Sequence, residues 1–132
     1  MPPDIVLLAT KWQPRALIRA QLLEQGFEVV ATNAWPMMRR HLRPGVKPRV
    51  ALVDLQGLPE PTAVLDDLRV LMTPERVLVL TAMGTLSIAD VESRGFRAIS
   101  RPIVIADIVQ AIANRIRSET DQESSGRTDA RM

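Results

Sequence analysis

Polar and charged side chains stand directly after several of the apolar runs in this sequence. Thr10 and Lys11 follow the first run, Asp54 follows the third, Thr81 the fourth and Arg101 the fifth. A buried charge is costly unless it is paired, so a carboxylate that meets cations is expected to pair with them. The chemistry within reach of this set is that of a single carboxylate, Asp54, with Arg101 and Lys11 as candidate partners.

Several catalytic classes lack the residues that they need. The chain contains no cysteine, which removes disulfides, thiolate nucleophiles and cysteine-bound zinc. His41 is the only histidine, and it lies in a run of arginines that is typical of a solvated helix face. No glycine-rich phosphate loop follows the first apolar run. We therefore expect neither an enzyme nor a bound cofactor.

A basic cluster in the second quarter of the chain invites a nucleic-acid interpretation. The cluster comprises Arg39, Arg40, Arg43, Lys47 and Arg49. It has no recognisable helix-turn-helix and no interleaved aromatic residues, and the net charge of the chain is only +2. We therefore expect no nucleic-acid partner.

The elements that would position Asp54 alternate along the chain. Five apolar runs fit strands of a parallel sheet that is covered on both faces. They lie at residues 5–9, 28–31, 50–53, 77–80 and 97–100. Helical periodicity separates them, most clearly in residues 64–72 and 105–116. Gly26 is placed to end the first helix, a short second helix is expected over about 35–42, and Ser87 with Asp90 resembles a capping box.

This alternation predicts a doubly wound α/β fold, a (βα)5 three-layer sandwich with a five-stranded parallel sheet in the order 2-1-3-4-5. Such sheets place their functional site at the carboxyl ends of the strands, near the point where the strand order switches. We expect this domain to span residues 1–118. Residues 119–132 are polar and predict a disordered tail.

The layout over about residues 4–117 resembles the receiver domain of bacterial response regulators, the CheY-like family with a flavodoxin-like fold. The run that ends in Asp54 is similar to the family's strand that ends in the phosphoacceptor aspartate. Thr81-Ala82 matches a hydroxyl residue and its small neighbour. The further matches are Gly26-Phe27, Leu58-Pro59 and Ser100-Arg101-Pro102-Ile103, the last resembling Lys-Pro-Phe with arginine for lysine.

The sequence departs from this family at the metal site. Ala9 and Thr10 stand where the family has two acidic residues that hold Mg²⁺. Mg²⁺ prefers oxygen ligands that include carboxylates, so Asp54 with the Thr10 hydroxyl is at most a weak site. The resemblance therefore implies a degenerate receiver, without a cofactor, in which phosphorylation of Asp54 is slow or absent.

Two further departures concern the switch. Arg101 replaces the family's lysine, and its planar guanidinium suits a carboxylate. Ala98 occupies the position of the family's switch aromatic. We expect Arg101, aided by Lys11, to neutralise Asp54 and hold one state. Two alternatives stay open: Asp54 is a phosphoacceptor or a structural cap, and Thr81 is a switch or a satisfied buried hydroxyl.

The leading functional hypothesis is a stand-alone receiver-like module of the two-component phosphorelay type that acts by protein–protein interaction. One alternative is a working receiver, phosphorylated on Asp54 by a histidine kinase, and another is a flavodoxin-like small-molecule sensor. The expected partners are a histidine kinase or another signalling protein, and a second copy through the fourth helix, fifth strand and fifth helix. Without a long apolar stretch or a basic N-terminal start, we expect a cytoplasmic protein away from membranes.

Overall fold

Five parallel strands form one sheet in the computed structural model, which describes residues 2–100 and 104–130, with side chains through residue 117. The strands are β1 (Ile5–Leu8), β2 (Val29–Thr32), β3 (Val50–Asp54), β4 (Val77–Leu80) and β5 (Arg97–Ile99). Their order is β2-β1-β3-β4-β5, which confirms the predicted topology. Because the chain winds outward in opposite directions from β1 and β3, the switch point lies between the carboxyl ends of these two strands.

Helices connect the strands and cover both faces of the sheet. They are α1 (Trp12–Glu24), α2 (Trp35–Arg39), α3 (Pro61–Leu71), α4 (Ile88–Ser93) and α5 (Ile105–Ala130). Gly26 follows α1 with φ 89°, a left-handed conformation that a residue without Cβ adopts at little cost. This position confirms the expected end of the first helix.

Alternate residues of each strand enter two separate cores. In β1, Val6 and Leu8 pack toward α2, α3 and α4, whereas Ile5 and Leu7 pack toward α1 and α5. Successive side chains of a strand point to opposite faces, so a strand buried on both sides must be apolar throughout. This is why the strands of the central sheet read as unbroken apolar runs.

The second helical segment consists of an α-helix and a 3-10 turn. α2 ends at Arg39, and a 3-10 turn over Arg40–Leu42 completes the segment. Arg43 has an extended backbone, with φ −72° and ψ 152°. Pro44 comes next, and the ring of a proline disfavours helical backbone at the preceding residue. The helical segment therefore ends at Leu42, which agrees with the expected bounds, whereas its last turn is a 3-10 helix and not an α-helix.

The last helix continues further than the hydrophobic pattern. α5 is helical to Ala130, whereas the sequence predicts a disordered tail from residue 119. Each residue added to an existing helix gains a backbone hydrogen bond, and no proline interrupts residues 105–130. Its apolar contacts with the sheet come from Ile108, Val109, Ile112 and Ile116. Within the described residues, no helix has both the length and the apolar character that a membrane crossing needs.

The start of α4 confirms the capping box. The Asp90 backbone N–H donates to the Ser87 hydroxyl at 3.1 Å, and the Ser87 N–H donates to the Asp90 carboxylate at 3.2 Å. The hydrogen bonds from the Ser87 side chain and backbone lower the pKa of Asp90. α4 spans only Ile88–Ser93, so these two hydrogen bonds satisfy donors at the start of a very short helix.

Candidate functional site

Asp54 ends the central strand at the switch point. Asp54 is 1% exposed, and its Oδ1 accepts a hydrogen bond from the Gln56 N–H at 2.9 Å. The strand register pairs Leu8 with Val53, so Ala9 comes beside Asp54 one position further along. Asp54 itself pairs with Leu80, the last residue of β4, so Thr81 follows on the other side. The sheet therefore brings three of the predicted site positions to one edge.

Thr10 connects the loop after β1 to the loop after β3. Its hydroxyl donates to the Gln56 carbonyl at 2.6 Å. Gly57 follows with φ 75°, and a Cβ there would lie 2.5 Å from the Thr10 Oγ1. Only glycine allows this close approach without displacing the hydroxyl. The Thr10 hydroxyl proton is therefore engaged in a hydrogen bond to the loop that follows β3.

Thr81 is held on the opposite side of Asp54, by β5. It is 6% exposed, and its backbone N–H donates to the Ile99 carbonyl at 2.9 Å. The Thr81 hydroxyl also donates to this carbonyl, at 3.4 Å, which is a long hydrogen bond. The Thr81 hydroxyl thus has a backbone acceptor, and whether Thr81 is a switch residue or only a buried hydroxyl stays open.

Lys11 lies at the mouth of a pocket that reaches Asp54. The pocket has a volume of about 480 Å³ and includes Trp12, Gln56 and Ile105 in its lining. Lys11 is exposed and has the extended backbone of the residue that precedes α1. The predicted cation is thus on the rim of the same pocket whose floor contains the buried carboxylate.

Several solved structures with this fold are receiver domains. A response regulator receiver domain protein from Clostridium thermocellum superposes with a TM-score of 0.71 and 21% identity, covering 88% of this chain and 95% of that one. A CheY-like receiver domain protein from Methanospirillum hungatei gives 0.74 and 17%, with coverages of 92% and 99%. The chain has the receiver fold.

The fold is also shared by a structure described as an adenylate cyclase from Rhodopirellula baltica. It superposes with a TM-score of 0.73 and 22% identity, covering 100% of both chains. No protein-family model and no curated protein matches the sequence. At these identities the likeness establishes the receiver fold, and the chemistry must be argued from the residues of this chain.

The residues present do not fit the Mg²⁺ site that receivers are expected to have. Ala9 offers no side-chain oxygen and is fully buried, and Thr10 offers a neutral hydroxyl instead of a carboxylate. Mg²⁺ demands near-ideal octahedral oxygen ligation, usually with at least one or two carboxylates. Within the described residues, no group of three or more His, Asp or Glu side chains is placed to hold a metal ion.

Arg15 is a site residue that the sequence analysis missed. Its guanidinium donates to the carbonyl oxygens of Ala9 at 2.8 Å and Thr10 at 3.3 Å. A cation in the first turns of a helix opposes the helix dipole, so its presence there hints at a local acceptor. Gln56 and Gly57 were missed as well, because their roles depend on how two loops meet.

Arg101, the predicted partner of Asp54, lies outside the described residues, as do Pro102 and Ile103. The pairing of Arg101 with Asp54 therefore stays a prediction. Ala98, at the position of the family's switch aromatic, is half-buried and packs against the core on the α3 and α4 side. A methyl group in this place cannot swing between two positions as a large aromatic side chain can.

Proposed function

We propose that this chain is a receiver-like signalling module of the two-component type that acts by protein–protein interaction, without metal-dependent phosphorylation. The observation that carries the proposal is the edge beside Asp54. Ala9 and Thr10 supply no carboxylate there, and the Thr10 hydroxyl is bonded to the Gln56 carbonyl. The proposed unit is the domain of residues 1–118, placed in the cytoplasm, and it has no enzymatic turnover of its own.

The proposal follows from the charge balance of phosphoryl transfer. The transferred group carries negative charge that metal ions normally neutralise, and positioning with electrostatic stabilisation supplies most of the rate. At Asp54 the acceptor is a carboxyl group that is only 1% exposed. Without metal ligands at Ala9 and Thr10, the charge that accumulates on transfer has no divalent cation to offset it.

The test is incubation with acetyl phosphate and Mg²⁺, followed by intact-mass measurement. We expect little phosphate on the protein, and no difference between the unsubstituted chain and an Asp54→Asn variant. Stoichiometric, Mg²⁺-dependent phosphate that disappears in Asp54→Asn would overturn the proposal. That outcome would instead support the alternative, a working receiver phosphorylated on Asp54 by a histidine kinase.

We further propose that Arg101, with Lys11 nearby, neutralises Asp54 in place of a metal and keeps one conformation populated. This part rests on the sequence, and on the position of Lys11 at the rim of the Asp54 pocket. Thermal unfolding of Arg101→Ala, Asp54→Ala and the double variant measures the coupling between the two side chains. A coupling energy above about 1 kcal/mol is expected for a pair in contact. Additive effects would remove the basis of the locked state.

The proposed output surface is the face formed by α4, β5 and the start of α5. Ile88 is 37% exposed on α4 and Val104 is 56% exposed just before α5, so apolar side chains are available there. We propose that this face docks a signalling protein or a second copy. Ile88→Glu should lower self-association in sedimentation measurements if the second copy binds there, and unchanged self-association would exclude this face as the contact between two copies.

One observation favours a second candidate, a small-molecule sensor. The pocket of about 480 Å³ at the strand ends combines the Asp54 carboxylate, the Lys11 side chain and apolar walls from Leu17 and Ile105. Small-ligand sites commonly have this composition, a mostly apolar cleft with a few polar groups. A thermal-shift screen of small zwitterions tests it, since binding in the pocket should raise the unfolding temperature of the unsubstituted chain but not that of Asp54→Asn.

A further inference from the structure

A groove beside α2 combines an apolar pocket and a basic pocket. The apolar pocket has a volume of about 500 Å³ and is lined mainly by Trp35, Pro36, Leu58, Pro59 and Val64. The basic pocket has a volume of about 320 Å³. Its lining, which we call the α2 surface, consists of Trp35, Pro36, Arg39, Arg40 and Arg43. Trp35 and Pro36 line both pockets, so the two adjoin at the start of α2.

The arginines of the α2 surface have no carboxylate partner within the described residues. Among the described residues, the ion pairs lie elsewhere in the fold, between Arg49 and Asp4 and between Arg94 and Asp66. Residues 29–53 contain neither Asp nor Glu. The three guanidinium groups are exposed, so their positive field reaches solvent unbalanced and is complementary to an anionic partner.

Among the described residues that line the two pockets, the one carboxylate belongs to the apolar pocket. Glu60 lines the apolar pocket and is not part of the lining of the basic pocket, which contains the three arginines. The Arg43 Nε donates to the Arg40 carbonyl at 3.2 Å, which limits where the Arg43 side chain can point. A ligand with an apolar end and an acidic end is therefore accepted in one orientation only, with the apolar end beside Glu60.

We propose that the α2 surface and its apolar pocket bind an acidic peptide segment of a partner protein, anchored by one apolar side chain. Trp35 and Arg39 are four residues apart on α2 and so share a face, about 6 Å apart along the axis. An extended peptide covers this distance in about two residues. The carboxylates of the partner therefore follow the apolar anchor within a few positions.

This composition favours a peptide over a nucleic acid. Single-stranded nucleic acids need aromatic platforms for successive bases. Trp35 is the one aromatic side chain in the groove, and it is half-buried against the core. Glu60 would also repel a phosphate backbone that ran along the apolar pocket. The inference rests on the proposed role in protein binding but concerns a different surface from α4 and β5, so the two can fail separately.

The fluorescence of Trp35 gives a direct test. The chain contains two tryptophans, Trp12 and Trp35, and no tyrosine, so a Trp12→Phe variant carries a single reporter inside the groove. The probe is a short synthetic peptide with one leucine followed by a run of glutamates. We expect a saturable change in emission that weakens at high salt. Replacing the leucine by serine, or the glutamates by glutamines, should weaken binding on the order of tenfold.

Charge-reversal variants of the protein complete the test. Arg39→Glu should weaken binding of the peptide on the order of tenfold, and Arg43→Gln by less. Arg19→Glu is the matched control, because Arg19 is equally exposed but lies on α1, and it should leave binding unchanged. Equal effects of Arg39→Glu and Arg19→Glu would overturn the proposal. So would a single-stranded oligonucleotide that binds more tightly than the peptide, which would make the groove a nucleic-acid site.

Discussion

The carboxyl ends of β1 and β3 lie side by side at the switch point, yet they differ in chemistry. Both strands are buried along their whole length, and their register is continuous through Leu8 and Val53. One position further, β1 continues into Ala9, which is fully buried and apolar, whereas β3 ends in the buried carboxylate of Asp54. At this level of the sheet, β3 therefore has an acidic side chain, and the neighbouring position after β1 has an apolar one.

The difference shows how this edge is stabilised. At the end of β1, the fixed contacts are hydrogen bonds from side chains to backbone, from Arg15 to the Ala9 and Thr10 carbonyls and from Thr10 to the Gln56 carbonyl. Buried carbonyl oxygens are costly when unsatisfied, so these bonds stabilise the turn out of the sheet. The loops after β1 and β3 are thus connected by a hydrogen bond between residues of the chain itself.

The largest loss of stability is expected when a second carboxylate is placed beside Asp54, which removes the difference between the ends of β1 and β3. We expect Ala9→Asp to destabilise the domain by about 3–5 kcal/mol, because two buried carboxylates would repel each other and lose their hydration. Chemical denaturation at neutral pH measures the loss. The loss should shrink as the pH falls and one carboxyl becomes protonated, and added Mg²⁺ should recover part of it.

Ala9→Asn is the control for this prediction. Asn has nearly the same volume as Asp but no charge, so it reports the cost of filling the space around Ala9. The difference between the two variants is the cost of the second charge. If Asn costs as much as Asp, steric crowding and not electrostatic repulsion excludes an acid from this position.

Gly57→Ala should break the link between the two loops. The new Cβ would lie 2.5 Å from the Thr10 Oγ1. The alanine would also have to adopt a φ of 75°, which is unfavourable for a residue with a Cβ. We expect a loss of about 2–3 kcal/mol in the free energy of unfolding, from backbone strain of about 1–2 kcal/mol plus the loss of the Thr10–Gln56 hydrogen bond.

Gly45→Ala separates these two contributions. Gly45 has a similar φ of 85°, but a Cβ there would have no atom within 4 Å. Its substitution should therefore cost only the backbone strain, about 1–2 kcal/mol. Identical losses for the two variants would mean that the Thr10 contact contributes nothing to the stability of the edge.

Asp54 and the sheet were predictable from sequence because they depend on patterns within short segments. Apolar runs locate buried parallel strands, and the residue after each run then falls at the carboxyl edge. Every predicted strand is present, with ends shifted by no more than one residue. The fold thus follows from burial, which imposes the same chemistry on every residue of a central strand.

The rest of the edge could not be predicted in this way. The contacts of Arg15, Gln56 and Gly57 depend on backbone atoms. Because nearly every residue has the same backbone groups, the sequence does not indicate which carbonyl accepts a given hydrogen bond. The helical segment that begins at Trp35 ends at Leu42, as the apolar spacing predicts, but its change from α-helix to 3-10 turn after Arg39 has no signal in that spacing. The sequence therefore located Asp54 at the carboxyl edge of the sheet but not the hydrogen bonds around it, and its role as a site residue stays a prediction.

The smallest expected effect concerns Arg15. Arg15→Met keeps much of the side-chain length but removes both hydrogen bonds to the Ala9 and Thr10 carbonyls. A net loss of about 1 kcal/mol is expected, since these bonds are only partly buried and water can replace some of them. The control is Arg19→Met, the same change at an exposed position of α1, for which we expect less than about 0.5 kcal/mol. The same variant also tests whether the two strand ends are independent. Because the hydrogen bonds of Arg15 go to the end of β1, the effect of Arg15→Met on stability should add to that of Asp54→Ala. Strong coupling between the two would show that the ends of β1 and β3 form one electrostatic unit, and the contrast between them would then be wrong.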